Sequence, residues 1–405
     1  MRQISLILIL ISLVSCKSET EQLKTLKPGT YQALLKVNDS LDMPFVFEVL
    51  SKERLQIFNA DEVIEVDEII YRKDSVFIKP PVFESYIAAK MTETGLEGNY
   101  IKDDLNRTVP FKAVFGKLNR FEVNKQPEVN ISGNWETMFS PDSESDNYIA
   151  KGVFEQVENK VTGTFRTKTG DYRYLEGVVD GNQLKLSTFD GAHAYLFMTT
   201  LTDSSMQGMF YSGNHYKEPF VAKRNDDFEL PDANNLTFLK EGFDKLAFSF
   251  PDESGKMVSL EDERFKNKVV LVQIMGTWCP NCLDESKYFT EFYKNNKDKD
   301  FEIIGLAFEY TKTEEKAFAN IKRLKDRLNI EYPILLAQYG SSSKVSAQEK
   351  LPMLNQVLSY PTTIFIDKNG AVRKIHTGFN GPATGEKYTE FTSEFEEFVN
   401  GLLKE

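Results

Sequence analysis

The sequence predicts a multidomain protein: an internally duplicated all-β region, sandwich or barrel, followed by a layered α/β domain. Three observations carry this. From about Lys27 to Arg224 short runs such as TYQALLKV, PFVFEVL and GVFEQV alternate apolar and polar residues between Gly, Asp and Asn turns. Landmarks of the first half of that region recur in the second. Beyond about Phe248, continuous apolar runs alternate with helix-length amphipathic ones, which indicates strands joined by helices.

Taken in order, residues 1–16 read as a signal peptide. Arg2 precedes an apolar run from Ile4 to Val14, too short to span ~30 Å of hydrocarbon but suited to a signal core. Leu13-Val14-Ser15-Cys16 resembles the lipobox of bacterial lipoproteins. That resemblance implies lipidation of Cys16 and a lipid-anchored body in the bacterial cell envelope, on the periplasmic side. No later stretch is long and apolar enough to span a membrane, so the body is expected to be tethered through its acyl chains.

Residues 17–126 and 127–226 form the two expected β units. Pro28-Gly29-Thr30-Tyr31 corresponds to Ser132-Gly133-Asn134-Trp135, and Pro110-Phe111-Lys112-Ala113 to Pro219-Phe220-Val221-Ala222, at a nearly constant offset. Residues 227–247 are polar and read as a linker. In residues 248–405 the pattern predicts a strand over Val269–Met275, a helix over Leu283–Asn295 and a strand over Glu302–Tyr310. A helix over Thr313–Leu328 and strands over Ile334–Ala337 and Thr362–Ile366 come next. Lys368-Asn369-Gly370 turns into AVRKIH as a hairpin, and a helix over Glu386–Leu403 closes the domain.

The chemistry concentrates in GTWCPNC, Gly276 to Cys282. The chain holds three cysteines. With Cys16 assigned to lipid, Cys279 and Cys282 pair only with each other, and the envelope is an oxidising compartment. A structural staple is a poor reading, since so short a loop restricts the unfolded chain least. A structural zinc site needs four N or S donors; this domain offers two Cys and His376, while His193 and His215 belong to the second β unit as surface or core residues. No metal and no cofactor is expected. A redox pair fits better. The cysteines follow a buried strand at a helix start, where free backbone N–H groups and the helix dipole favour a thiolate. Pro280 suits the first turn. Cys279 is then the nucleophile, and Cys282, one turn on, the resolving thiol that closes a Cys279–Cys282 disulfide.

GTWCPNC with Glu285 three residues on, preceded by NKVVLVQIM and followed by SYPTTIFIDKNG, resembles the TlpA/ResA-like branch of the thioredoxin superfamily. The resemblance covers about Phe248 to Glu405. It implies a thioredoxin fold, a protein-disulfide reductase activity, and a cis bond before Pro361 beside the cysteines. It also implies that the backbone at Tyr360 holds substrate, that Trp278 packs over the site, and that Pro280 lines it. Thioredoxin has a buried Asp six residues before its first Cys; here Gln273 stands there and cannot titrate. Glu285 matches an acid of the TlpA/ResA-like branch, placed to relay the proton of Cys282. Glu309, at the end of the next strand, is expected to be a loop-facing charge. A peroxidase reading fails, because Thr277 lies two residues before Cys279 rather than three and Gln273 stands four before Thr277.

The net charge of −12 argues against nucleic acid, which rewards clustered Lys and Arg. The expected partners are protein or small-molecule disulfides, a membrane thiol reductant of the DsbD/CcdA-like kind, and the membrane through the lipid. Cytochrome c biogenesis and thiol homeostasis are the processes implied. The rival reading is a ligand- or surface-binding lipoprotein whose β region carries the main function.

Overall fold

The computed structural model describes residues 24–405, so the signal segment 1–16 and Cys16 lie outside the described residues. Two nine-stranded antiparallel sheets precede a five-stranded mixed sheet. In the first, Gly29–Lys36 pairs with Asp42–Ser51 on one side and with Arg107–Phe115 on the other. The remaining strands follow as hairpins, with Tyr31, Phe45, Phe47 and Phe111 on the buried face. In the second, Gly133–Phe139 pairs with Tyr148–Val157 and with Tyr216–Arg224. Here Tyr148–Val157 also pairs with Lys160–Thr167, which closes eight strands into a ring. A closed ring has no free edge. Its interior is filled by stacked and edge-on aromatics around Phe139, Phe165, Phe197 and Phe220.

The C-terminal sheet runs Ile334–Gln338, Phe301–Phe308, Val269–Met275, Thr362–Ile366, Val372–Thr377. The first three strands are parallel and the last two antiparallel. Val269–Met275 and Phe301–Phe308 are buried at every position, as strands covered on both faces require. Four helices accompany the sheet among the described residues: α1 (Pro280–Asn296), α2 (Glu314–Leu328), α3 (Lys344–Lys350) and α4 (Glu386–Lys404). Local chemistry sets their ends. Thr313 caps α2 by accepting the Lys316 N–H, Glu314 and Glu315 fill its first turn, and Asn329 closes it in a left-handed conformation. Helices α1 and α4 pack together through Phe289, Phe292 and Phe395. No helix among the described residues is long and apolar enough to cross a membrane.

Residues 227–247 are laid against the C-terminal domain. Leu239 bridges to Leu354, the Thr377 hydroxyl donates to Thr237, and His376 Nδ1 lies 3.0 Å from Asn234 Oδ1.

Candidate active site

Cys279 is the N-cap of α1. Its sulfur accepts the Cys282 N–H at 3.2 Å, and its S–H donates to the Tyr360 carbonyl at 3.3 Å. The Tyr360–Pro361 bond is cis, and the loop before Thr362–Ile366 carries the Tyr360 carbonyl to the sulfur. Both cysteines are buried and neither is bridged. They differ in surroundings. Cys279 is 6% exposed; Cys282 is sealed, and burial followed by the neighbouring Cys279 pushes its thiol well up.

Glu285 lies one turn beyond Cys282 on α1 and is fully buried. One oxygen accepts from Gln273 Nε2 and the other from the Thr363 hydroxyl, both at 2.8 Å. Burial lifts its carboxyl to about 7 even against those two donors. Gln273 is fixed in turn by the Ser286 hydroxyl at 3.2 Å.

Glu309 is not loop-facing. It is fully buried and accepts the Thr277 N–H and the Thr277 hydroxyl, each at 2.7 Å. The strand ends at Phe308, and the next residue turns under the loop that carries the cysteines. A buried carboxylate without such donors would be costly. Burial raises it, too, to about 7. Trp278 is held by its indole N–H on the Phe308 carbonyl at 2.9 Å and stands edge-on to Tyr360. Gly276 is required beneath it, because a Cβ there would lie 2.3 Å from the indole nitrogen.

The chain model for the Redoxin family matches residues 232–390. Thiol-disulfide oxidoreductase ResA of Bacillus thuringiensis subsp. konkukian is 30% identical over 144 residues, which is 36% of this chain and 72% of that protein. Thioredoxin-like protein YneN of Bacillus subtilis is 29% identical over 140 residues, 35% of this chain and 73% of its own length. A thiol-disulfide oxidoreductase from Bacteroides fragilis is 24% identical as a solved structure, covering 37% of this chain and 99% of that one, with a TM-score of 0.27.

The chain belongs to the thiol-disulfide oxidoreductases of the thioredoxin superfamily. It is an oxidoreductase with a thioredoxin-fold domain behind a large β region.

This oxidoreductase also places β-region residues at the cysteines, which the sequence reading missed. The turn between Lys160–Thr167 and Gly170–Asp171 lies on the site. Ser359 Oγ donates to the Thr169 carbonyl at 2.8 Å, Asn281 Nδ2 to the Asp171 carbonyl at 3.2 Å, and the Gly381 N–H to Asp171 Oδ2 at 2.6 Å. Arg173 anchors the turn. It pairs with Glu62 of the first sheet, with Asp190 just past the strand Gln183–Phe189 at 3.3 Å, and with Asp284 of α1, and it donates to the Pro280 carbonyl at 3.0 Å. A cavity of ≈ 870 Å³ opens between this turn and Cys279, and His193 and His215 line it rather than the core. The one sequence signal was Thr169-Gly170-Asp171, a turn triplet like many others in the region.

Proposed function

We propose that this protein is a lipid-anchored, extracytoplasmic enzyme of the bacterial envelope that reduces protein disulfides through the Cys279–Cys282 dithiol. The observation that carries the reading is the placement of Cys279 at the α1 N-terminus, between the Cys282 N–H and the Tyr360 carbonyl. Cys279, as thiolate, attacks a substrate sulfur. The other substrate sulfur leaves and takes up a proton. Cys282 then attacks Cys279, frees the second thiol and closes the enzyme disulfide. Cys282 is buried as a thiol, and Glu285, held near neutrality, is the base that relays its proton. Tyr360 and Pro361 present backbone to the substrate, with Trp278 and Pro280 flanking it.

Cys16 carries the lipid, and a DsbD/CcdA-like membrane reductant returns electrons. Maintenance of cytochrome c haem-attachment cysteines is one such use. The β region is read as a duplicated unit, supported by the repeated landmarks and by first-to-last strand pairing in both sheets.

Two measurements test this. Pre-reduced protein should reduce hydroxyethyl disulfide, and Cys279→Ser should abolish the reaction. Equilibration with glutathione should place the couple at about −270 mV; a value of about −120 mV would reverse the direction.

A further inference from the structure

The cavity over Cys279 has walls and a charge of its own. The 167–171 turn lies along Ser359, Asn281 and Gly381, the backbone that flanks the reactive sulfur. It fits closely: Gly170 sits at φ +141°, and a Cβ there would fall 1.9 Å from Asn281 Nδ2. Gly378, in the loop beyond Val372–Thr377, approaches the Thr169 backbone in the same way. A folded protein surface therefore meets the barrel before it meets Cys279. What reaches the sulfur comes through the cavity.

The lining is aromatic near the sulfur, with Trp278, Tyr360, Tyr172 and Tyr195, which suits a disulfide because sulfur packs well on rings. Arg107 and Lys344 line the same cavity, and Lys102, whose Nζ donates to the Ala192 carbonyl at 2.9 Å, lines an adjoining ≈ 330 Å³ cavity that shares Arg107. Among the described residues none of these three cations has an ion pair, in a chain whose net charge is −12. Two acids, Glu218 and Asp171, share the lining, each held by hydrogen-bond donors, and Asp190 lies close by. Glu218 accepts the Ser140 and Tyr148 hydroxyls at 2.6 and 2.7 Å. Asp171 accepts the Gly381 and Arg173 N–H groups, and Asp190 faces Arg173 and His193.

Building on the disulfide-reductase reading above, we infer that this chamber binds a disulfide on a slender, carboxylate-bearing carrier. That carrier is a low-molecular-mass thiol or an extended acidic peptide, and a disulfide on a compact protein surface is excluded. The rings receive the sulfurs, and Arg107 and Lys344, with Lys102 in the adjoining cavity, receive the carboxylates. The reaction is the exchange above: one disulfide becomes two thiols while the Cys279–Cys282 dithiol becomes a disulfide.

The test is single-turnover reduction by the pre-reduced whole chain of oxidised glutathione, cystamine and hydroxyethyl disulfide, which are anionic, cationic and neutral. Each rate is divided by the rate of the same disulfide with dithiothreitol. Glutathione disulfide should exceed cystamine by about tenfold or more at low salt, and the ratio should shrink as screening rises. Arg107→Gln with Lys344→Gln should bring it to within about twofold of unity. A peptide disulfide flanked by Asp should match glutathione disulfide if extended peptides enter, and trail it if only the small thiol does; insulin should be slower than both. A wild-type ratio near one, a ratio unmoved in the double variant, or insulin reduced as fast as the peptide overturns the inference. Failure of all substrates, the neutral one included, overturns the reductase reading itself.

Discussion

Glu285 is fully buried, and burial holds its carboxyl at about 7 against an ordinary 4.5. Between those values the folded protein keeps a proton that the unfolded chain has released. Stability must therefore fall as pH rises through that window. At 1.36 kcal/mol per pKa unit the full loss is about 3 kcal/mol, complete a little above pH 7. Glu285→Gln removes the titration but keeps the shape. Its amide oxygen can still accept from Gln273, and its NH₂ can donate to the Thr363 hydroxyl, which accepts as readily as it donates. The variant should match wild type near pH 4.5 and exceed it by about 2–3 kcal/mol at pH 8, read by urea unfolding of the reduced protein. Glu309 titrates in the same range but is present in both proteins and cancels. On the proton relay proposed for Glu285, disulfide turnover at neutral pH should meanwhile fall by about 10²-fold. A stability gap that is the same at pH 4.5 and pH 8 refutes Glu285 as the titrating acid.

Arg173→Leu strands Glu62, Asp190 and Asp284 without their shared cation. Removing one partner of a buried ion set is worth about 3–5 kcal/mol, so chemical unfolding should show a loss of that order; one below about 1 kcal/mol would mean the three acids are already solvated. Gly170→Ala puts a side chain at φ +141° and against Asn281, so it should destabilise by about 1–3 kcal/mol. It should also lift the turn, and the alkylation rate of Cys279 by iodoacetamide should rise several-fold. An unchanged rate would show that the turn does not limit access.

The C-terminal domain was largely legible because its signals are local. The continuous apolar run of Val269–Met275, the Cys279–Cys282 spacing and the Lys368-Asn369-Gly370 turn each need only a few neighbours to read. The parallel register of the sheet and the pairing of Thr362–Ile366 with Val372–Thr377 follow from that order of elements. Glu309 was misread because a charge just past a strand is usually solvated. Only the fold brings Thr277, 32 residues away, beneath it to supply two donors. Arg107, His193, His215 and Arg173 carried no signal at all. Arg107 opens a strand and the other three lie in turns or irregular segments between strands, where a polar residue is the default; only the fold brings the first three to the cavity and Arg173 to Asp284 of α1.

The turn at Gly170 makes the barrel part of the entrance to the redox centre, although it contributes no reactive atom. Damage to the barrel then has an unusual outcome. It would leave a dithiol that still exchanges but no longer chooses, so the enzyme fails open rather than falling silent. On the reductase reading proposed above, the enzyme works among proteins that need their disulfides, and loss of discrimination is the more harmful failure. That places the pressure for a rigid, ring-closed barrel on the neighbours the enzyme must leave untouched.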